Sequence, residues 1–218
     1  MFLDRLEGLV DRARATRWAN LVVVNLRIAI GFAFVPAGLT KLLGHTFTDP
    51  DNRGAFHDFL HGFHATGGFY RFVGVLQLVA ALLLMTQRRA TLGAAVALPI
   101  ATAIAGFCWS TARAPTVVVT TLLVLGLVAL LVWELRAWRP VLDGRAPTSS
   151  PRASLPIDLG PWAWCGVAIV VAYLLLCLSV GDVYRPRRPT PDSAAYYVLP
   201  ALLLLPLATW LVERRRPR

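Results

Sequence analysis

The chain has 218 residues, 56% of them hydrophobic and only 16% charged, with a mean hydropathy of +0.59 and a formal net charge of +10. Soluble domains carry roughly 25% charged residues, so this composition excludes an ordinary soluble domain. The positive charge does not point to a nucleic-acid partner, because the arginines gather at the ends of apolar runs, where anionic lipid headgroups would meet them.

Residues 1–19 carry both charge signs, unlike a signal peptide. Phe2, Leu3, Leu6, Leu9 and Val10 fall on one helical face, with Arg5, Arg12 and Arg14 among the polar positions. That pattern predicts a short amphipathic helix lying on the membrane surface, with a disordered basic tail as the alternative. Six apolar segments of spanning length follow: Leu21–Leu43, Phe69–Met85, Ala90–Thr111, Thr116–Trp133, Trp162–Val180 and Ala195–Leu211. All seven tryptophans (Trp18, Trp109, Trp133, Trp138, Trp162, Trp164 and Trp210) lie at or near the predicted ends, where amphipathic rings favour the interface. The third span is rich in glycine and alanine from Gly93 to Gly106, which allows close backbone approach and a central place in the bundle.

The expected fold is therefore all-α, a polytopic membrane bundle of six transmembrane helices. An interfacial segment, 1–19, precedes a four-helix core, 20–135. The connection 136–160 contains APTSSPRASLP and reads as a flexible linker rich in proline, serine and arginine. A two-helix hairpin and basic tail, 161–218, complete the chain. With six spans, one side holds fourteen arginines: Arg5, Arg12, Arg14 and Arg17; Arg88 and Arg89; Arg136, Arg139, Arg145 and Arg152; and Arg214, Arg215, Arg216 and Arg218. The other side holds five: Arg53, Arg113, Arg185, Arg187 and Arg188. This bias places both termini in the cytoplasm.

The first span is the most informative. Arg27, Gly31, Phe34, Gly38 and Lys41 recur at steps of four, three, four and three, so a helix keeps them on one face. Arg27 lies roughly 10 Å into the span at 1.5 Å per residue. It either snorkels to the interface or faces inward to bind an anionic or carbonyl-bearing group, such as a lipid head or a quinone oxygen. Lys41, the only lysine among 22 basic residues, is either an interfacial anchor or a specific contact that an arginine would not replace. Asn25 and Gln77 are the other polar side chains able to bond across helices. The expected site is a shared hollow lined by Arg27, Gly31, Phe34, Gly38, Lys41 and Gln77.

His57, His61 and His64 have helical spacing in FHDFLHGFH, beside a greasy face of Phe56, Phe59, Leu60 and Phe63. The segment reads as an amphipathic lid, with a metal or haem site as the weaker alternative. Cys108, Cys165 and Cys177 form no CxxC pair and read as inert buried thiols. Glu134 reads as an interface residue. No nucleotide-binding glycine loop, nucleophile elbow or HExxH is present, and independent catalysis is not expected.

The pattern Arg27-x3-Gly31-x2-Phe34-x3-Gly38-x2-Lys41-Leu42, the Phe-rich segment Phe56–Phe63, and Gly74-x2-Gln77-x3-Ala81-Leu82-Leu83-Leu84 resemble the DoxX-like family of bacterial membrane proteins. Arg89 and the alanine-rich third span continue the resemblance, which covers roughly residues 20–135. It implies a four-helix bundle in the bacterial cytoplasmic membrane, tied to thiosulfate:quinone oxidation or redox-stress complexes. The expected role is an accessory subunit of a membrane redox system that holds a quinone or lipid, with other redox subunits or further copies of itself as partners. At Gln77 the family commonly has glutamate, so a charge pair with Arg27 or Lys41 would be missing here. The hairpin Trp162–Leu211 lies outside the resemblance and would dock a partner. A membrane scaffold is the competing reading; a transporter lacks support from paired acidic residues or an inverted repeat.

Overall fold

In hydrocarbon a backbone must satisfy its own N–H and C=O groups, which leaves helices as the solution for long apolar runs. The structure, a computed structural model, describes residues 2–111, 114–143, 156–183 and 200–215. The helices are α1 (Phe2–Arg14), α2 (Arg17–Leu42), α3 (Ala55–Ala65), α4 (Gly68–Met85), α5 (Ala90–Thr111), α6 (Ala114–Trp133), α7 (Leu135–Asp143), α8 (Leu159–Val180) and α9 (Leu204–Arg215). Five of them, α2, α4, α5, α6 and α8, are long and apolar enough to cross a membrane. The chain is a multi-pass helical bundle.

Two predicted segments differ. Ala195–Leu211 is not one continuous helix among the described residues: Ala195–Val198 and Leu199 lie outside them, and the chain turns at Leu203 before α9 starts. At 12 residues α9 is roughly 18 Å long, short of a ~30 Å hydrocarbon core. The start of the predicted linker is helical, because Leu135–Asp143 forms α7; residues 144–155, with Arg145 and Arg152, lie outside the described residues, as do Arg113, Arg185, Arg187 and Arg188.

The four-helix core packs α2 against α4, α4 against α5, and α5 against α6, with α6 returning to α2. Small residues set the spacing. Ala94, Ala97 and Ala101 of α5 are buried, as the alanine-rich pattern required. A Cβ at Gly93 would lie 2.9 Å from the Leu84 backbone nitrogen, and one at Gly126 would lie 2.8 Å from Ile30 Cδ1. Helix α8 lies on α2 and α4. Gly166 sits against the Met85 carbonyl, and Tyr173 meets Phe32 edge-on at 5.6 Å. Helix α8 is thus part of the packed core. A Gly166→Leu change should lower stability by about 1–3 kcal/mol or more, since its Cβ would collide with backbone; unfolding in mixed detergent micelles measures it.

Trp162 departs from the expected interfacial belt. It is fully buried and donates Nε1–H to Glu213 at 2.7 Å, while Glu213 also lies 3.7 Å from Arg17. These contacts bring the end of α9 back to the starts of α2 and α8. Trp18, Trp109 and Trp164 are exposed, as interfacial rings are.

At the opposite end, α3 folds over as the predicted lid. Phe59 lies 4.3 Å from Phe107 of α5, and Phe63 lies 5.0 Å from Tyr70 of α4.

Candidate functional site

The expected hollow separates into two ends. Arg27 and Lys41 are fourteen residues apart on α2, about 21 Å at 1.5 Å per residue. Between them, Gly31, Phe34 and Gly38 are buried in the helix interface. A Cβ at Gly38 would lie 2.9 Å from Leu78 Cγ and 3.0 Å from the Gly74 carbonyl, and one at Gly31 would lie 3.1 Å from the Ala81 carbonyl. The glycines therefore bring α2 and α4 into backbone contact. Lys41, at the far end, donates to the Ala37 carbonyl at 3.1 Å and sits 4.5 Å from the Phe47 ring centre and 5.9 Å from that of Tyr70. Cation–π attraction of this kind makes a buried ammonium tolerable.

Gln77 is buried in mid-bundle, and its Oε1 has no hydrogen-bond partner among the described residues. An unsatisfied buried acceptor costs about 1–3 kcal/mol. Gln77→Met, which keeps the shape, should therefore raise unfolding stability by roughly 1 kcal/mol.

Arg27 has a different setting. Its Nη2 is 3.1 Å from Glu134 Oε1, and its Nη1 donates to Gln87 Oε1 at 3.3 Å. The second Glu134 oxygen lies 3.0 Å from Arg14 Nη2. Arg14 also donates Nε–H to the Trp133 carbonyl at 3.1 Å and lies 5.4 Å from the Trp133 ring centre. That carbonyl is at the C-terminus of α6, where no further helical N–H can reach it, so a cation there serves as a cap. Asn20 ties the two arginines' helices together by donating to the Arg14 and Thr16 carbonyls at 2.7 and 2.8 Å.

Gln87 reaches Arg27 from an unusual backbone. Its φ is +61°, among the described residues the sole non-glycine in the left-handed region. That region costs a side chain roughly 1–2 kcal/mol. The turn between α4 and α5 thus tolerates strain at the residue whose amide oxygen, with 4% of the residue exposed, meets the buried guanidinium.

These groups border a cavity of about 260 Å³ at the Arg27 end. Arg14, Asn20, Arg27, Gln87, Arg88, Thr91, Trp133 and Glu134 supply its polar wall, and Val23, Val24, Ala90, Ala137 and Leu159 the remainder. Three arginines less one glutamate leave a formal excess of two positive charges. Beneath it, α1 and α7 are clasped: Arg136 Nε lies 2.9 Å from Glu7 and also pairs with Asp11, and Arg139 pairs with Asp4 and Glu7. The Arg139 guanidinium beside it helps hold the Asp4 carboxyl well below the usual carboxylate range. A depressed value means its contribution is complete above the unfolded pKa near 3.8 and is lost only as pH falls below that. Added salt should weaken the clasp.

The histidines do not converge. His57 Nδ1 meets Thr48 Oγ1 at 2.6 Å, His61 Nε2 meets the Asn52 carbonyl at 3.3 Å and His64 Nε2 meets the Gly44 carbonyl at 3.0 Å. Each ring fastens α3 to a different point of the 44–54 loop. Among the described residues no three His, Cys, Asp or Glu side chains group as a metal site. Cys108, Cys165 and Cys177 are free and buried.

Sequence reasoning found Arg27 but not Arg14, Gln87 or Glu134. One signal was available: Glu134 is the only acidic residue between Asp58 and Asp143, and a buried arginine requires a counter-charge. Compared with protein-family models, with curated proteins and with solved structures, the chain matches none.

Proposed function

We propose that this protein is a six-span, DoxX-like protein of the bacterial cytoplasmic membrane, with both termini cytoplasmic and no catalysis of its own. It holds the polar head of an anionic lipid, or a quinone, at the Arg27 cavity as an accessory subunit of a membrane redox system. One observation carries the reading. An arginine only 6% exposed, on a helix of spanning length, borders a cavity with two further arginines and a single carboxylate. Intramembrane charge of this kind marks ligand sites more often than structure alone.

The excess of positive charge favours an anionic head over a neutral quinone ring. So does the volume, which is below the roughly 300–1,000 Å³ of sites that enclose a whole small molecule. The arginine bias and the return of Glu213 to Arg17 and Trp162 support an even number of crossings. The redox setting rests on the resemblance carried by Arg27 to Lys41. The test is solvent extraction of the full chain purified from native membranes in mild detergent. An anionic lipid or quinone should be retained, and Arg27→Leu should reduce it by about 10- to 100-fold, the worth of a lost charge-assisted hydrogen bond. Equal retention by both proteins would sink the proposal.

A further inference from the structure

Building on the reading of the Arg27 cavity as a headgroup site, we infer that its ligand carries a phosphomonoester, which enters by displacing the Glu134 carboxylate from Arg14 and Arg27. The two Glu134 oxygens already sit at 3.1 and 3.0 Å from those two guanidiniums, where the oxygens of an incoming anion would bind. Glu134 is therefore a tethered stand-in, which keeps buried arginines paired while the site is empty. It also stands at a joint: its N–H is shared between the Leu130 and Leu131 carbonyls, and the chain turns there from α6 into α7. A side chain on a turn can withdraw without dismantling a helix.

The charge excess selects the ligand. A phosphodiester head brings one negative charge and two free oxygens. A phosphomonoester brings about −1.5 to −2 at neutral pH and three strong acceptor oxygens. The second kind is the closer match to the positive excess, which is two with Glu134 in place and three with it withdrawn, and its oxygens can serve Arg14 and Arg27 together. A ligand with only one charge competes with Glu134 on equal terms. The apolar wall of Val23, Val24, Ala90 and Leu159 would receive the first carbons beyond the phosphate. The charged groups facing the site are Arg14 from α1, Arg27 from α2, Arg88 from the α4–α5 turn and Glu134 from the α6–α7 joint, with no histidine in the lining. The pH dependence of binding should then follow the second ionisation of the ligand itself, near pH 6.

The experiment uses the full chain in mild detergent with phosphatidate, phosphatidylglycerol and inorganic phosphate as probes, read by native mass spectrometry and competition. Phosphatidate should bind about tenfold or more tightly than phosphatidylglycerol at about pH 8, and the ratio should shrink toward one at about pH 5.5 as the second proton returns. Glu134→Gln removes the internal competitor of both ligands and should strengthen phosphatidate and phosphatidylglycerol alike by about tenfold; no gain for either would overturn displacement of Glu134. If that variant does not fold, the pH series on the unmodified chain decides alone. Displacement of phosphatidate by millimolar inorganic phosphate would indicate a soluble phosphomonoester, and resistance to it a lipid; either supports the chemistry. Equal binding of the two lipids at about pH 8, both lost in Arg27→Leu, overturns the phosphomonoester and leaves the headgroup site standing. Binding unchanged by Arg27→Leu overturns both.

Discussion

Glu134→Ala is expected to destabilise the bundle by about 3–5 kcal/mol, the cost of leaving a buried charge without its partner. The loss falls on Arg27 and Arg14 together, because one carboxylate bridges both guanidiniums. Water entering the cavity should hold the value toward the lower end of that range. The double variant Glu134→Ala with Arg27→Leu should recover part of the loss, since it removes the unpaired Arg27 charge but leaves Arg14 without its carboxylate. Unfolding by SDS in mixed micelles gives the three numbers. Simple additivity of the two single changes would show that the pair is not coupled.

The second large effect concerns the α2–α4 seam. Gly74→Val should prevent stable folding or cost about 3 kcal/mol or more, beyond ordinary overpacking. A Cβ at Gly74 would lie 2.8 Å from the Gly38 carbonyl oxygen, the Leu42 nitrogen and Lys41 Cβ, and backbone cannot rotate away as a side chain can. Gly62→Ala on α3 is the control. Nothing lies within 4 Å of its Cβ, so the change should be neutral or stabilising by up to about 1 kcal/mol through helix propensity. Equal losses at Gly74 and Gly62 would contradict close packing at the seam.

Hydropathy and run length made five helices of crossing length legible, because hydrocarbon admits few alternatives for an apolar run of some 20 residues. The greasy lid was legible for a similar reason: Phe56, Phe59 and Phe63 recur at helical spacing, and the first two bring their rings against Phe107. The face of α2 was also readable, but its meaning was not. Periodicity reports that Arg27, Gly31, Phe34, Gly38 and Lys41 share a side; it does not report whether that side meets a ligand or another helix. The length of the face held the answer, since about 21 Å exceeds any one small cavity. Gly31 and Gly38 seat α4, and the charged residues lie at the two ends.

Glu134 and Gln87 illustrate a different limit. Glu134 meets Arg27 across 107 residues of chain, and Gln87 meets it across 60. Local patterning carries no information at such separations. Gln87 also sits in a turn sequence, MTQRR, that gives no hint of a left-handed backbone, a conformation usually supplied by glycine or asparagine. Trp162 shared the apolar, end-of-helix signature of interfacial tryptophans, and only the position of Glu213 distinguishes it.

The claim on which everything else depends is that the Arg27 cavity is open and electropositive. A cysteine at Thr91, on the cavity wall, measures this directly by its reaction rates with anionic and cationic thiol reagents of equal size. The anionic reagent should react about tenfold or more faster, an advantage that falls with salt and with Arg27→Leu. A cationic reagent reacting as fast or faster would mean that Glu134 governs the field there, and that the cavity is no place for an anion.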